Sequence, residues 1–147
     1  MKLNEAGIDL IKSFESLRLE AYPDPGTGGD PWTIGYGHTE GVSEGDTCTE
    51  DEANEFLQND LAQCIQGVTD LVTTNLNDNQ FSALVSFAFN CGVHNLKIST
   101  LLREINDSNF NHIVVNFEMW DKANHKVMTG LFRRRAAEAA LFMTEDT

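Results

Sequence analysis

Phe14-Glu15-Ser16-Leu17-Arg18-Leu19-Glu20-Ala21-Tyr22-Pro23-Asp24 is followed by a Gly-rich turn and by Pro31-Trp32-Thr33-Ile34-Gly35-Tyr36-Gly37-His38-Thr39. Ahead of this stretch Ile8, Ile11 and Phe14, with Leu10 flanking, recur at helical spacing behind Asn4, a predicted N-cap. The helix should therefore end near Glu15. Leu17, Leu19 and Ala21 then alternate with polar residues, as in a half-buried strand. Residues 23–31 carry three prolines and three glycines and cannot be helical, so they read as a loop. Trp32 to Tyr36 resumes as a short strand. The stretch is a small β element of two or three strands hung on the end of a helix.

Outward from it the pattern turns helical. Thr49 with Glu52 forms a capping box, and Ala53, Phe56, Leu57, Leu61, Cys64 and Val68 follow on one face. Asn77 with Gln80 is a second capping box, with Leu76 placed to staple onto Phe81. Phe81, Leu84, Val85, Ala88 and Phe89 make a strongly apolar helix that stops at Gly92. Ser99 caps another helix with Leu101, Leu102 and Ile105. Ile113, Val114, Phe117 and Trp120 mark a further one, and the last runs from about Thr129 to Phe142. Runs of strand followed by runs of helix give an α+β class. The expected architecture is one domain over residues 1–147, a small N-terminal β-hairpin lobe and a larger helical lobe with a cleft between them. No repeat, linker or separate second domain is read.

With 41% hydrophobic residues among 147, the chain can bury a core. The net charge is −13 and unevenly placed: thirteen Asp and Glu but no Lys or Arg lie between Leu19 and Leu96. A surface without cations releases no phosphate counterions, so nucleic acid is disfavoured as a partner. Anionic lipid is disfavoured for the same reason. No run of 18 apolar residues is present, so no membrane insertion is expected. The first ten residues carry acids where a signal peptide is apolar, so export by that route is not expected. Cys48, Cys64 and Cys91 are widely spaced and read as reduced, mostly buried thiols, with one disulfide plus a free thiol as the alternative. The four histidines, His38, His94, His112 and His125, have no ligand spacing. No metal and no cofactor are expected. Arg133, Arg134 and Arg135 form the one cationic cluster. They point in different directions at helical spacing, and at least one is expected to pair with an acid across the fold.

Two carboxylates in different environments, Glu15 and Asp24, are what cleavage of a glycosidic bond needs: one protonated as acid, one ionised to steer water or face positive charge. Thr33 adds a hydroxyl that can hydrogen-bond the water. Gly35 and Gly37 read as permitting tight backbone packing, and His38 as a hydrogen-bonded structural histidine.

The order Glu, eight residues, Asp, a Gly-containing turn, then Thr-Ile-Gly-Tyr-Gly-His resembles the phage-type lysozymes, the muramidases of glycoside hydrolase family 24. Leu76-Asn77-Asp78-Asn79-Gln80-Phe81 through Asn90-Cys91-Gly92 resembles that family's central buried helix. Ser99-Thr100-Leu101-Leu102, Trp120-Asp121-Lys122-Ala123 and Gly130-Leu131-Phe132-Arg133-Arg134-Arg135-Ala136-Ala137-Glu138 are similar to later landmarks, so the resemblance covers residues 5 to 142. It implies Glu15 as catalytic acid, Asp24 as second carboxylate and Thr33 as the hydroxyl that holds water. It further implies hydrolysis, by an inverting route, of the β-1,4 bond between N-acetylmuramic acid and N-acetylglucosamine in peptidoglycan glycan strands. By the same resemblance the protein is an endolysin, held in the host cytoplasm until released to the wall at lysis, with a monomer as the default state.

This chain departs from the family pattern at three points. Its longer turn adds Asp30 as a second candidate carboxylate, although Asp24 keeps the family's spacing from Glu15. Ser16 stands where Gly commonly follows the catalytic Glu. The chain is acidic where many members are basic. Two rival readings stay open: a lytic transglycosylase, for which Asp24 and Thr33 would be superfluous, and a non-catalytic peptidoglycan-binding module of a phage or secretion particle.

Overall fold

A computed structural model describes residues 1–25, 27–123 and 126–145, with the backbone alone for Ala123. His125, one of the histidines without ligand spacing, lies outside the described residues. The chain divides into two compact units, one of Lys12–Gln63 and one of Met1–Ile11 with Cys64–Thr147, the boundaries falling within two helices.

The first helix, α1 (Glu5–Glu15), starts as expected: the Gly7 amide donates to Asn4 Oδ1 at 3.0 Å, the N-cap bond. Asn4 is itself fixed, its amide donating to Ser82 Oγ at 3.0 Å and its Nδ2 to Asn79 Oδ1 at 2.8 Å.

In the unit Lys12–Gln63, β1 (Arg18–Tyr22) pairs antiparallel with β2 (Thr33–Gly35). Arg18 faces Gly35 and Tyr22 faces Thr33, so β1 runs four residues against two and is bulged. On its other edge the Ala21 amide donates to the Asp46 carbonyl and the Cys48 amide to the Leu19 carbonyl, both at 2.9 Å. The expected alternation is not found. Leu19 stays 46% exposed, while Ala21 and Tyr22 are half-buried. The bulge breaks the period of two, so burial is graded along β1 rather than switched at each residue.

The helix α2 (Glu50–Leu71) opens with the reciprocal bonds of a capping box: Thr49 N to Glu52 Oε1 at 3.0 Å and Glu52 N to Thr49 Oγ1 at 3.1 Å. Ala53, Leu57 and Leu61 are buried as read, while Phe56 is half-buried. Gly35, at φ +65°, lies so near α2 that a β-carbon there would sit 3.2 Å from Ala53 Cβ.

The other unit is built on α3 (Asp78–Cys91), capped by Asn77 and Gln80 in both directions and ended by Gly92 at φ +97°. Phe81, Leu84, Val85 and Phe87 on α3 are fully buried, each worth roughly 1.5–3 kcal/mol of burial. Then come α4 (Val93–Ile98), α5 (Thr100–Asn106), α6 (Ile113–Glu118), the two-residue strands β3 (Lys122–Ala123) and β4 (Lys126–Val127), and α7 (Thr129–Met143). Ser99 caps α5, accepting from the Leu102 amide at 3.0 Å. Phe87 meets Phe117 and Trp120 edge-on at 6.0 and 5.7 Å between ring centroids, and Phe142 meets Phe110 and Phe117 in the same manner. Sequence periodicity did not reveal α4 or the β3–β4 ribbon. Val114, read as a core position, is 49% exposed, because the buried stripe of α6 is Ile113, Asn116 and Phe117. No helix among the described residues is long and apolar enough to cross a membrane.

Candidate active site

Glu15, Asp24 and Thr33 all belong to the unit Lys12–Gln63, and the β1–β2 hairpin sets the place of each. Glu15 is the last residue of α1 and is half-buried. The chain leaves the helix through Ser16, whose φ is +55° and whose amide donates to the Lys12 carbonyl at 3.2 Å. Across β1, Arg18 opposes Gly35, and two residues later the backbone of Gly37 comes up against the Glu15 carboxyl. A β-carbon on Gly37 would stand 3.0 Å from Glu15 Oε1, and Gly37 has φ +84°. Glycine is demanded there twice, by conformation and by space.

Asp24 lies two residues past β1 and caps its own loop. Its amide donates to the Gly29 carbonyl at 3.0 Å, and its carbonyl accepts from Gly28 at 2.8 Å and Thr27 at 3.2 Å. Its Oδ2 accepts from the Thr27 amide, three residues on, at 3.1 Å. Thr33 opens β2 opposite Tyr22, so the register brings Thr33 and the strand that leads to Asp24 side by side. Thr33 Oγ1 lies 3.4 Å from the Pro31 carbonyl oxygen, a long bond that leaves the hydroxyl oxygen able to accept. Asp24 is half-buried and Asp30 exposed. Asp30 enters the loop's bonding through its carbonyl, which accepts from Thr27 Oγ1 at 2.6 Å.

His38 fills the structural role read for it. Its Nδ1 is 2.9 Å from Asp60 Oδ2, its ring stacks on Phe56 at 4.4 Å, and its backbone exchanges two hydrogen bonds with Ile34. The strand end that carries Gly37 is thus clamped to α2.

Two members of the arginine cluster are buried. Arg133 is exposed, but Arg134 is 3% and Arg135 0% exposed, and both pair with Glu138 on their own helix. Arg135 Nε meets Glu138 Oε1 at 2.6 Å, off the line of a good hydrogen bond, while its Nη2 donates to Glu138 Oε2 at 2.9 Å. The reach across the fold goes to α3, where Arg134 Nη2 donates to the Ser86 carbonyl at 3.2 Å and Arg135 Nη1 donates to Cys91 Sγ. A helix 3.6 residues to the turn places Arg134, Arg135 and Glu138 on one face, and that face is covered by α3. Residue type alone argues for exposure, which is why the burial was missed. Cys48, Cys64 and Cys91 form no disulfide, and each is largely buried, as read from the sequence. Burial pushes the Cys91 thiol up. Among the described residues no group of His, Cys, Asp and Glu is placed to hold a metal ion.

Residues 12–138 match the model of the phage lysozyme family. The chain is 41% identical over its whole length to an endolysin of Bacillus phage B103, of which it spans 56%. It is 38% identical to the endolysin of Salmonella phage P22, covering 98% of this chain and 99% of that one. Among solved structures, the muramidase domain of SpmX from Asticaccaulis excentricus superposes with a TM-score of 0.89 at 40% identity, over 98% of this chain and 99% of that chain. The fold is α+β and lysozyme-like, and the chain belongs to the phage lysozyme family.

Proposed function

We propose that residues 1–147 form one catalytic domain that hydrolyses the β-1,4 bond between N-acetylmuramic acid and N-acetylglucosamine in peptidoglycan. The observation that carries this reading is the half-buried Glu15 carboxyl at the end of α1, packed on the backbone of Gly37, in the same compact unit as Asp24 and Thr33. Glu15 donates its proton to the leaving glycosidic oxygen. Thr33 and Asp24 hold the water that attacks the anomeric carbon from the opposite face, and the Asp24 carboxylate takes its proton. Asp24 suits this role better than Asp30, because its loop fixes it by three backbone bonds and one carboxylate bond. Membership of a family with endolysins and a muramidase domain supports the substrate class. The working form is a monomer that reaches the wall from inside a lysing cell.

Turbidity loss of outer-membrane-stripped Gram-negative cells tests it, with wild type beside Glu15→Gln. Clearing by wild type alone, with the variant folded by circular dichroism, is the expected result. Substantial clearing by the folded variant overturns the role of Glu15. Reducing muropeptide ends are expected from hydrolysis, whereas anhydro ends would assign the chain to the transglycosylases.

A further inference from the structure

The unit Lys12–Gln63 holds twelve Asp and Glu against two cations, Lys12 and Arg18, which is a formal charge of −10 out of the chain's −13. Both cations sit over tyrosine rings of the hairpin region, Lys12 Nζ 5.4 Å from the centroid of Tyr36 and the Arg18 guanidinium 4.5 Å from that of Tyr22. Nine of the twelve acids are exposed, so their field acts through solvent and yields to salt. The candidate carboxylates Glu15 and Asp24 sit within this same unit.

Peptidoglycan is the substrate under the reading above, on which this inference rests, and its stem peptides carry free carboxylates. Such a strand approaches a unit that repels it and offers little countercharge. Juxtaposed like charges discriminate against a ligand without any contact to a preferred one. We infer that this chain selects wall glycan by charge: its preferred substrate is peptidoglycan whose stem-peptide carboxylates are amidated or otherwise neutralised. Strands with free carboxylates bind weakly until salt screens the unit. Repulsion of this kind acts on encounter and binding, so it raises KM and leaves kcat unchanged.

The test divides one preparation of purified wall into an untreated half and a half amidated with carbodiimide and ammonium. Release of reducing ends gives KM and kcat on each at about 0.01 M and about 1 M salt, where the screening length is about 30 Å and about 3 Å. At low salt KM on untreated wall should exceed that on amidated wall by about tenfold, with matched kcat, and the gap should close at high salt. Glu40→Lys, Glu44→Lys and Glu55→Lys together, at exposed positions outside the candidate site, should lower KM on untreated wall at low salt and leave amidated wall unaffected. Equal KM on the two walls at low salt, with both cleaved, overturns the inference and leaves the hydrolase reading intact. A gap that persists at 1 M also overturns it, since direct contacts rather than the field would then be reading the peptides. No reducing ends from either wall removes the hydrolase reading itself, a failure distinct from the other two.

Discussion

Ser16 holds the left-handed backbone conformation, φ +55°, immediately after the candidate acid. For an L-residue that region costs roughly 1–2 kcal/mol, and glycine escapes the cost. Glycine also loses more entropy on folding, about 0.4–1 kcal/mol, so the two effects oppose each other. Ser16→Gly should therefore stabilise the protein by between about 0 and about 1.6 kcal/mol. A urea denaturation midpoint measures this, and a lower midpoint for the variant would contradict it. Gly37 presents the reverse case. Its φ of +84° disfavours any side chain, and a β-carbon there would press on Glu15 Oε1 at 3.0 Å. Gly37→Ala must move either the backbone or the acid by a few tenths of an ångström, and about 10²-fold, the cost of a 1 Å misplacement, is the upper bound on the loss. Wall-lytic kcat of Gly37→Ala should fall about 100-fold or less, with its circular dichroism spectrum retained. Full activity in the folded variant would show that the close approach has no bearing on the acid. The resemblance to the family's N-terminal motif pointed to Glu15, Asp24 and Thr33. It marked Ser16 only as a departure from pattern. The reason for glycine at position 37 is a contact between chain segments, which spacing does not contain.

Elements were legible where side chains announce them. Asn4, Thr49, Asn77 and Ser99 each make the cap bond that their residue type and position predict, because capping is a local matter of three or four residues. The elements that escaped are short. The helix α4 has six residues and no side-chain cap bond, and β3 and β4 have two residues each, too few to display a period. How short elements join was not legible either. Glu104 on α5 accepts from Asn116 Nδ2 on α6 at 2.6 Å and lies 3.1 Å from His112 Nδ1. The Asn116 hydrogen bond, followed by the bond and charge of His112, holds the Glu104 carboxyl below its ordinary value of 4.5. A carboxyl depressed in the fold adds stability that is complete above its unfolded value and is lost as pH falls through the folded one. Asn116→Ala should therefore flatten the fall of stability below about pH 4.5. Melting temperature against pH for variant and wild type checks it. Parallel curves from pH 7 to 3 would show that the Asn116 bond does not set the acid limb.

At the scale of the whole molecule, hydrophobic patterning was enough to find α3, since a helix apolar nearly all round must be central. The two Arg and the Glu on the inner face of α7 work against that patterning. Glu138 is 0% exposed, and burial pushes its carboxyl up while Arg135 and Arg134 pull it down. Ser86 Oγ donates to Glu138 Oε2, which ties the cluster to α3. Pairing charges inside a protein returns little net stability, because desolvation offsets the attraction, but removing one partner leaves the other charges buried and uncompensated. Glu138→Gln should accordingly lower unfolding free energy by about 3–5 kcal/mol, more than most single changes in a chain of this size. Replacing the whole group, Arg134→Met with Arg135→Met and Glu138→Leu, should cost less than Glu138→Gln alone, because the buried charges of the cluster are then removed together. Urea unfolding of the two variants beside wild type decides between two roles for the cluster. If the triple variant is the less stable of the two, the cluster's hydrogen bonds to Ser86 and Cys91 hold α3 and α7 together. If Glu138→Gln is the less stable, the cluster is a balanced set of charges whose members tolerate loss together but not singly.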